Sequence, residues 1–193
     1  MKKPLLLFIC LISFTIRAAS QTPEQRTASE TIRSFVKWYG ENWEKLSRLE
    51  SNAINTGISD PKEKTIPSLY SINFREVEKY IAELSSTCFF SEEYLEVQRQ
   101  QFEDADTYFK ENPQYEGPPE GFQYDRFFLT QEDFFEDIKN IDNIRITEKL
   151  LKNNATNVRM YLSHCNMTYS YLLSMQKGEW QIDSITVYSI PYG

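Results

Sequence analysis

The sequence predicts an α+β domain in which N-terminal helices pack on a mainly antiparallel C-terminal sheet. Apolar residues recur at helical spacing through the first part of the chain, and β-prone runs separated by turn residues fill the last part. Helices followed by strands are typical of the α+β class, whereas alternating elements would indicate a parallel α/β sheet. The length suits one domain with its own hydrophobic core.

Residues 1–20 have the layout of a secretory signal peptide. Lys2 and Lys3 precede an apolar run from Leu5 to Ile16, and small residues follow at positions 18–20. The run is shorter than the roughly 20 residues that span a bilayer as a helix. We therefore expect an exported protein, periplasmic or secreted, with a single domain at residues 21–193 and no integral membrane segment after cleavage.

Three helices are predicted ahead of the sheet. The first runs from Thr31 to about Leu49, because one stripe of it is apolar: Ile32, Phe35, Val36, Tyr39, Trp43 and Leu46. Gly40 interrupts this helix at a cost in propensity, which indicates a close approach by another element. Residues 51–67 are rich in turn-forming residues and predict a loop.

The second and third helices are predicted from their N-terminal signals. Asn73 and Glu76 have the spacing of a capping box, in which each side chain bonds the other's backbone N–H group. Ser91 is placed to cap the third helix, with acidic residues in the first turn, and Pro113 ends it. The Pro-rich and Gly-rich stretch at 112–121 then predicts a loop.

Short elements are predicted between this loop and the sheet. Tyr124 to Leu129 has the composition of a short strand, and Thr130 is placed to cap a short helix that carries Phe134, Phe135 and Ile138. Strands are then predicted at Ile144 to Leu151, Thr156 to Ser163, Thr168 to Gln176 and Glu179 to Tyr188.

The last two strands are predicted to form a hairpin around Lys177 and Gly178. Strict alternation after this turn places Asp183 on one face of the sheet. The other face carries the residues expected to anchor the strand, with Trp180 and Ile182 packing on the helices or on a sheet surface: Trp180, Ile182, Ser184, Thr186 and Tyr188.

The charge of the chain limits its partners. The net charge is −7, and it becomes −10 when Lys2, Lys3 and Arg17 leave with the signal peptide. An acidic domain repels phosphate backbones and anionic headgroups, so we expect neither nucleic acid nor an anionic membrane surface as a partner. A basic protein partner stays open, beside the simpler explanation that the charge keeps the protein soluble.

Two cysteines remain after the signal peptide, Cys88 and Cys165. An oxidising compartment allows a disulfide between them, and a bond that closes so long a loop would be structural. The alternative is two separate buried thiols.

The chain offers few residues for metal or cofactor chemistry. His164 is its single histidine, which excludes a multi-histidine metal site. The acidic pairs at 132–133 and 136–137 lack the spacing of a calcium loop, and no nucleophile or phosphate-loop motif is present. We therefore predict no metal and no cofactor.

Two carboxylates and several rings are the candidates for a ligand pocket. Asp125 and Asp183 are the acids with apolar or aromatic neighbours in the sequence, so either can act as a sheltered, protonatable group if its face is concave. The alternative is an ordinary surface carboxylate. The aromatic candidates, for which core packing is the alternative, are Trp38, Tyr39, Trp43 and Tyr124.

Two short motifs carry a resemblance to a known fold. The helix Thr31-Ile32-Arg33-Ser34-Phe35-Val36-Lys37-Trp38-Tyr39 and the ending Gly178-Glu179-Trp180-Gln181-Ile182-Asp183 resemble the cystatin-like cone fold typified by nuclear transport factor two. More narrowly, they resemble a bacterial family of exported domains of unknown function. The resemblance implies a curved sheet around a long helix with a conical pocket.

The resemblance leaves the function open, because this fold includes both enzymes and binding modules. Enzymes of the fold place an Asp-His or Tyr-Asp set in the cone, which this sequence does not make evident. The leading hypothesis is a non-catalytic binding module for a small apolar molecule or a protein partner. The alternatives are an isomerase or hydrolyase that uses Asp183 or Asp125 as base, and an acidic inhibitor-like or structural protein that binds a basic partner.

Overall fold

The computed structural model describes residues 26–56 and 69–189, so the predicted signal peptide lies outside the described residues. It confirms the α+β class, with helices ahead of a four-stranded antiparallel sheet that is not closed. No helix of the described ranges is both long enough and apolar enough to cross a membrane. The elements are α1 (Ala28–Ala53), β1 (Ile54–Asn55), β2 (Ser71–Ile72), α2 (Phe74–Ser85), α3 (Glu92–Glu111), α4 (Phe135–Lys139), a 3₁₀ turn (Ile141–Asn143), β3 (Ile146–Leu150), β4 (Ala155–Leu162), β5 (Met167–Gln176) and β6 (Glu179–Ser189).

Helix α1 is the longest element and is longer than the sequence predicts at both ends. Thr27 and Glu30 form a capping box, in which the Glu30 N–H donates to Thr27 Oγ1 at 3.2 Å and the Thr27 N–H donates to Glu30 Oε2 at 2.7 Å. The close approach predicted at Gly40 is confirmed, because a Cβ there would lie 2.7 Å from Ile138 Cγ2. Helix α4 therefore packs directly on the α1 backbone.

The predicted cap of α3 is confirmed, whereas the predicted capping box of α2 is wrong. Ser91 caps α3 as predicted, since its Oγ accepts the Tyr94 N–H at 3.2 Å. The capping box predicted at Asn73 and Glu76 is wrong. Asn73 stands at the cap position, but its backbone N–H already donates to the carbonyl of Ala53 at 2.8 Å. Glu76 instead binds Lys79 at 2.6 Å.

The strand predicted at Tyr124 to Leu129 is wrong, because this segment forms a turn. Asp125 Oδ1 accepts the backbone N–H groups of Phe127 and Phe128 at 2.9 and 2.8 Å, which removes donors that a strand ladder needs. The cap predicted at Thr130 is also wrong. Thr130 Oγ1 accepts the Glu132 N–H at 3.0 Å within a bend, and α4 begins only at Phe135.

The four predicted strands of the sheet are confirmed, with the order β3-β4-β5-β6 and antiparallel pairing throughout. The hairpin turn at Lys177 and Gly178 is also confirmed. Their φ angles of 52° and 88° are the left-handed conformations that a two-residue hairpin of this kind requires.

The alternation predicted for β6 fails beyond Ile182 because the strand contains a bulge. Leu173 pairs with Ile182 and Leu172 pairs with Ser184, so Asp183 is the extra residue between them. A bulge of one residue moves every later side chain to the opposite face. The residues that pack inward after it are therefore Ile185 and Val187, and those left exposed are Ser184, Thr186 and Tyr188.

Aromatic side chains cover the inner face of the sheet. The Phe35 ring of α1 lies 5.4 Å from Phe90, 5.6 Å from Phe127 and 6.2 Å from Tyr171, measured between ring centroids. The Tyr169 hydroxyl donates to the Phe128 carbonyl at 3.0 Å. The segment after Tyr124 is thus fixed between α1 and the sheet, and this position sets the geometry of the site below.

Cys88 and Cys165 are both free thiols, so the disulfide that the sequence allows is not formed. Cys88 is exposed beside Gln181, whose amide donates to the Cys88 carbonyl, whereas Cys165 is buried in the turn between β4 and β5. Gln181 pairs with Ser174, whereas Met167 directly follows the turn that holds Cys165, so six to seven residues of β5 separate the two cysteines along the sheet. This is roughly 20 Å at the usual rise of a strand. A disulfide needs Cα atoms within about 7 Å.

Candidate ligand-binding site

Helix α1 and the turn at residues 124–129 bring three of the predicted site residues together. The Tyr39 hydroxyl donates a hydrogen bond to Asp125 Oδ2, and the Trp43 side chain is a further hydrogen-bonding neighbour of the same carboxylate. The Tyr39 ring packs edge to face on Phe127 at 4.9 Å. One helical turn separates Tyr39 from Trp43, so both reach the same side of α1.

The carboxylate of Asp125 is half-buried and extensively hydrogen-bonded. It accepts from Tyr39 and from the backbone N–H groups of Phe127 and Phe128. Burial raises the pKa of Asp125 above its ordinary value, although the hydrogen bonds from Tyr39, the two backbone groups and Trp43 act in the opposite direction. The group is therefore a half-buried carboxylate with most of its acceptor positions occupied.

A buried ion pair lies next to Asp125. Arg126 Nε donates to Glu50 Oε1, and Arg126 Nη1 donates to Gln101. The guanidinium lies against two neighbouring rings, 4.5 Å from the Phe102 centroid and 4.6 Å from the Phe122 centroid, and the Arg126 side chain is only 8% exposed. Burial raises the pKa of Glu50, and Arg126 opposes this increase. Aromatic rings close to a guanidinium stabilise it as a cation.

Several buried polar atoms around Phe102 lack partners. Tyr80 Oη, Gln98 Oε1 and Arg126 Nη2 have no hydrogen-bond partner within residues 26–56 and 69–189. The Tyr80 ring lies 5.8 Å from Phe102, and Gln98 is one turn before Phe102 on α3. Buried polar groups are normally paired, and leaving one unpaired costs about 1 to 3 kcal/mol. Polar groups retained at such a cost are typical of functional sites.

Two clefts open on either side of Tyr124 and Asp125. The first, which we call the α3 cleft, has a volume of about 410 Å³ and lies between α3 and residues 120–129. The second, the α1 cleft, has a volume of about 430 Å³ and includes Trp43 and Glu50 in its wall. Tyr124, 59% exposed, and Asp125 belong to both walls, whereas Arg126 lines the α3 cleft.

The structure therefore brings together four of the six predicted site residues, Tyr39, Trp43, Tyr124 and Asp125. The remaining two lie elsewhere. Trp38 packs on Phe89 at 5.9 Å between ring centroids, as a partly buried residue against the core. Asp183 stands at the bulge of β6, where it accepts a hydrogen bond from Ser174 Oγ at 3.0 Å.

Sequence reasoning missed Glu50 and Arg126. Glu50 continues the apolar stripe of α1, one turn after Leu46 and three residues before the buried Ala53, so a carboxylate on the buried side could have been noticed. Arg126 stands between Asp125 and two phenylalanines, which is an unusual place for a cation. Its partners on α1 and α3 are distant in the sequence and left no local signal.

Comparisons of the chain with models of protein families, with curated proteins and with solved structures find no match.

Proposed function

We propose that the protein is an exported, non-catalytic binding module of the cone-fold type, and that its ligand occupies the α3 cleft. The ligand is a small apolar molecule or a segment of a protein partner. Two motifs and the order of helices and strands support the fold assignment. The amino-terminal sequence supports export.

The observation that carries the binding site is the buried Arg126–Glu50 ion pair in and beside a cleft of about 410 Å³. An apolar pair of similar size would usually stabilise a fold as well or better, so a buried ion pair is weak evidence for stability. A concave surface with rings and a few fixed polar groups is typical of ligand sites. Here Tyr108, Tyr124 and Leu129 supply the apolar wall.

The experiment is an NMR screen of the purified protein against a library of small apolar compounds and short peptides. We expect the binders to shift the backbone signals of Tyr108, Tyr124 and Leu129. Tyr124→Ala should then weaken binding by about tenfold, because a central ring of a small site commonly contributes that much. Tyr124 is 59% exposed, so the fold does not depend on its ring.

Tyr188→Ala is the matched control, because Tyr188 is a similarly exposed tyrosine on β6, 50% exposed. It should leave binding unchanged. The proposal fails if the binders shift signals only on the exposed face of the sheet. It fails equally if Tyr188→Ala weakens binding as much as Tyr124→Ala does.

A second candidate is an enzyme of the isomerase or hydrolyase kind, and the Tyr39–Asp125 pair favours it. Burial raises the pKa of Asp125, which suits a general base, and Tyr39 is a hydrogen-bond donor beside it. Against it, the same carboxylate is largely occupied by backbone donors. A turnover screen in which Asp125→Asn abolishes an activity, with ligand binding retained, would favour the enzyme over the binding module.

A further inference from the structure

A third cleft extends the α3 cleft along the same helix. It has a volume of about 530 Å³, and it shares Tyr108 and Glu120 with the α3 cleft. Its wall also contains Glu111, Tyr115 and Glu116. We call the two clefts together the acidic trough. Its α3 side reaches from Asp104 to Glu111, which is about 10 Å at the rise of an α-helix.

The acids of the trough have no cationic partners. Asp104, Glu111, Glu116 and Glu120 form no ion pair with any lysine or arginine that the structure describes. Asp104 and Glu120 accept hydrogen bonds only from neutral amides, those of Gln100 and Gln123, at 2.9 and 2.8 Å. Their negative charge is therefore uncompensated and available to a cation.

The nearby cations that the structure describes are already engaged. Lys110, on the same stretch of α3, pairs with Asp106 at 2.6 Å, and Arg126 pairs with Glu50. Within residues 26–56 and 69–189, the trough therefore presents a single sign of unpaired charge to an approaching ligand. Walls of low dielectric around such a cleft concentrate its field and attract ligands of opposite charge.

Exposed tyrosine rings are interleaved with these acids. Tyr108 is 41% exposed, Tyr115 53% and Tyr124 59%. A guanidinium or ammonium group binds favourably over the face of a tyrosine ring, and the aliphatic stem of a lysine or arginine packs on the ring as well. Rings and carboxylates in one groove therefore suit long cationic side chains better than compact inorganic cations.

Arg126 adds a donor at the wall of the trough. Its side chain is 8% exposed, and Nη2 has no hydrogen-bond partner within the described residues. Nη2 is itself buried, so a carbonyl oxygen of a ligand accepts from it only after the Arg126 side chain shifts toward the trough. A peptide provides both features, because its backbone has carbonyl oxygens and its side chains carry the positive charges.

We infer that the ligand of the proposed site is an extended basic peptide segment of a partner protein, whose lysine or arginine side chains lie on the tyrosines and acids of the trough. An extended chain rises by about 3.3 Å per residue, so the trough accommodates roughly three to four residues. This inference rests on the proposed binding function and adds the chemical class of the ligand.

The test uses the purified protein and three capped pentapeptides that alternate alanine with lysine, glutamine or glutamate. Isothermal titration and NMR shifts are measured at low and at physiological salt. We expect the lysine peptide to bind and to shift the signals of Asp104, Tyr108 and Glu120. Its affinity should fall at higher salt, because screening weakens exposed charge interactions. The glutamine and glutamate peptides should bind at least about tenfold more weakly.

Two double variants separate the trough from the overall charge. Asp104→Asn with Glu120→Gln should weaken binding of the lysine peptide by about fivefold to tenfold. Glu41→Gln with Glu44→Gln changes the net charge equally on exposed positions of α1, and it should alter affinity less than twofold. All four side chains are exposed, so the variants are expected to fold.

Three outcomes would overturn the inference. Equal binding of the glutamine peptide at the trough would show a ligand that is not recognised by charge, and it would leave the proposed function intact. Equal losses in the two double variants would indicate attraction to the whole acidic protein. Shifts confined to residues outside the trough, for every peptide and every apolar compound, would contradict both the inference and the proposed function.

Discussion

Asp125 is half-buried and Asp137 is buried. The two aspartates flank residues 126–136, and both accept hydrogen bonds from backbone N–H groups. Asp137 is 4% exposed and accepts from the backbone of His164 and Cys165, each at 3.1 Å, which ties α4 to the turn between β4 and β5. Asp125 accepts from Phe127 and Phe128 close to it in the chain.

Their surroundings differ more than their hydrogen bonds. Asp137 lies away from the clefts described above and joins two elements of the fold. Asp125 borders the α3 and α1 clefts, and the Arg126–Glu50 pair lies beside it. A carboxylate that holds a turn accounts for Asp137 completely, whereas the charges and unpaired polar atoms near Asp125 go beyond what the turn requires.

The largest effect should come from the ion pair. Arg126→Met removes the cation from Glu50, a carboxylate whose side chain is 24% exposed, and leaves it without compensation in a largely dry place. We expect the free energy of unfolding to fall by about 3 kcal/mol, measured by urea denaturation. Lys45→Met is the matched control, because Lys45 pairs with Glu83, whose side chain is 22% exposed, while Lys45 itself is 49% exposed against 8% for Arg126. It should cost less than about 1 kcal/mol.

The double variant Glu50→Leu with Arg126→Met tests the reason for this loss. An apolar pair no longer contains an isolated charge, so most of the stability lost in Arg126→Met should return. If the double variant is as unstable as the single one, the packing of the arginine against Phe102 and Phe122 is the main contribution instead. In that case the Arg126–Glu50 pair serves the fold alone, as Asp137 does, and the two regions no longer differ in role.

The second effect concerns Asp137. Asp137→Ala leaves the N–H groups of His164 and Cys165 without their acceptor in the protein interior, which should cost about 2 kcal/mol in the free energy of unfolding. Asp137→Asn keeps one acceptor oxygen and should cost roughly half as much. Hydrogen exchange of these two amides should become faster in the alanine variant. Unchanged exchange would contradict the assigned role of this carboxylate.

The regular part of the fold follows from local patterns. The stripe of α1, the Ser91 cap of α3 and the Lys177–Gly178 turn each depend on neighbours within a few residues, and all three are confirmed. The predicted cap at Asn73 is wrong because its N–H group is bound by Ala53, and that contact depends on β1 and β2 meeting.

The candidate site was predictable only in part, because some of its residues meet through contacts between distant parts of the sequence. Tyr39 and Trp43 were placed on one side of α1 by their spacing, and Tyr124 and Asp125 were noted as aromatic and acidic neighbours. Glu50 and Arg126 meet across 76 residues of sequence. The bulge at Asp183 is likewise a property of pairing between β5 and β6, and it reverses the face of every later residue of β6.

The smallest effect is the dependence of stability on pH. Burial raises the pKa of Asp125 in the folded protein above the value of an unfolded chain, which is about 3.9. The folded state thus holds this proton more tightly, so the contribution of Asp125 to stability decreases as the pH rises from about 4 through its folded pKa. Asp125→Asn does not titrate, and its free energy of unfolding should rise relative to the wild type across that window.

Tyr39→Phe shifts this window in a predictable direction. The Tyr39 hydrogen bond lowers the pKa of Asp125, so its removal should raise that pKa further and extend the loss of stability to higher pH. Glu50 also has a raised pKa, mainly through burial, and the charge of Asp125 adds to it, so the difference for Asp125→Asn contains a smaller change from Glu50 as well. If the free energies of unfolding of Asp125→Asn and the wild type differ by the same amount at every pH, Asp125 is not the group that titrates in this window. Asp125 would then be a turn residue of the same kind as Asp137.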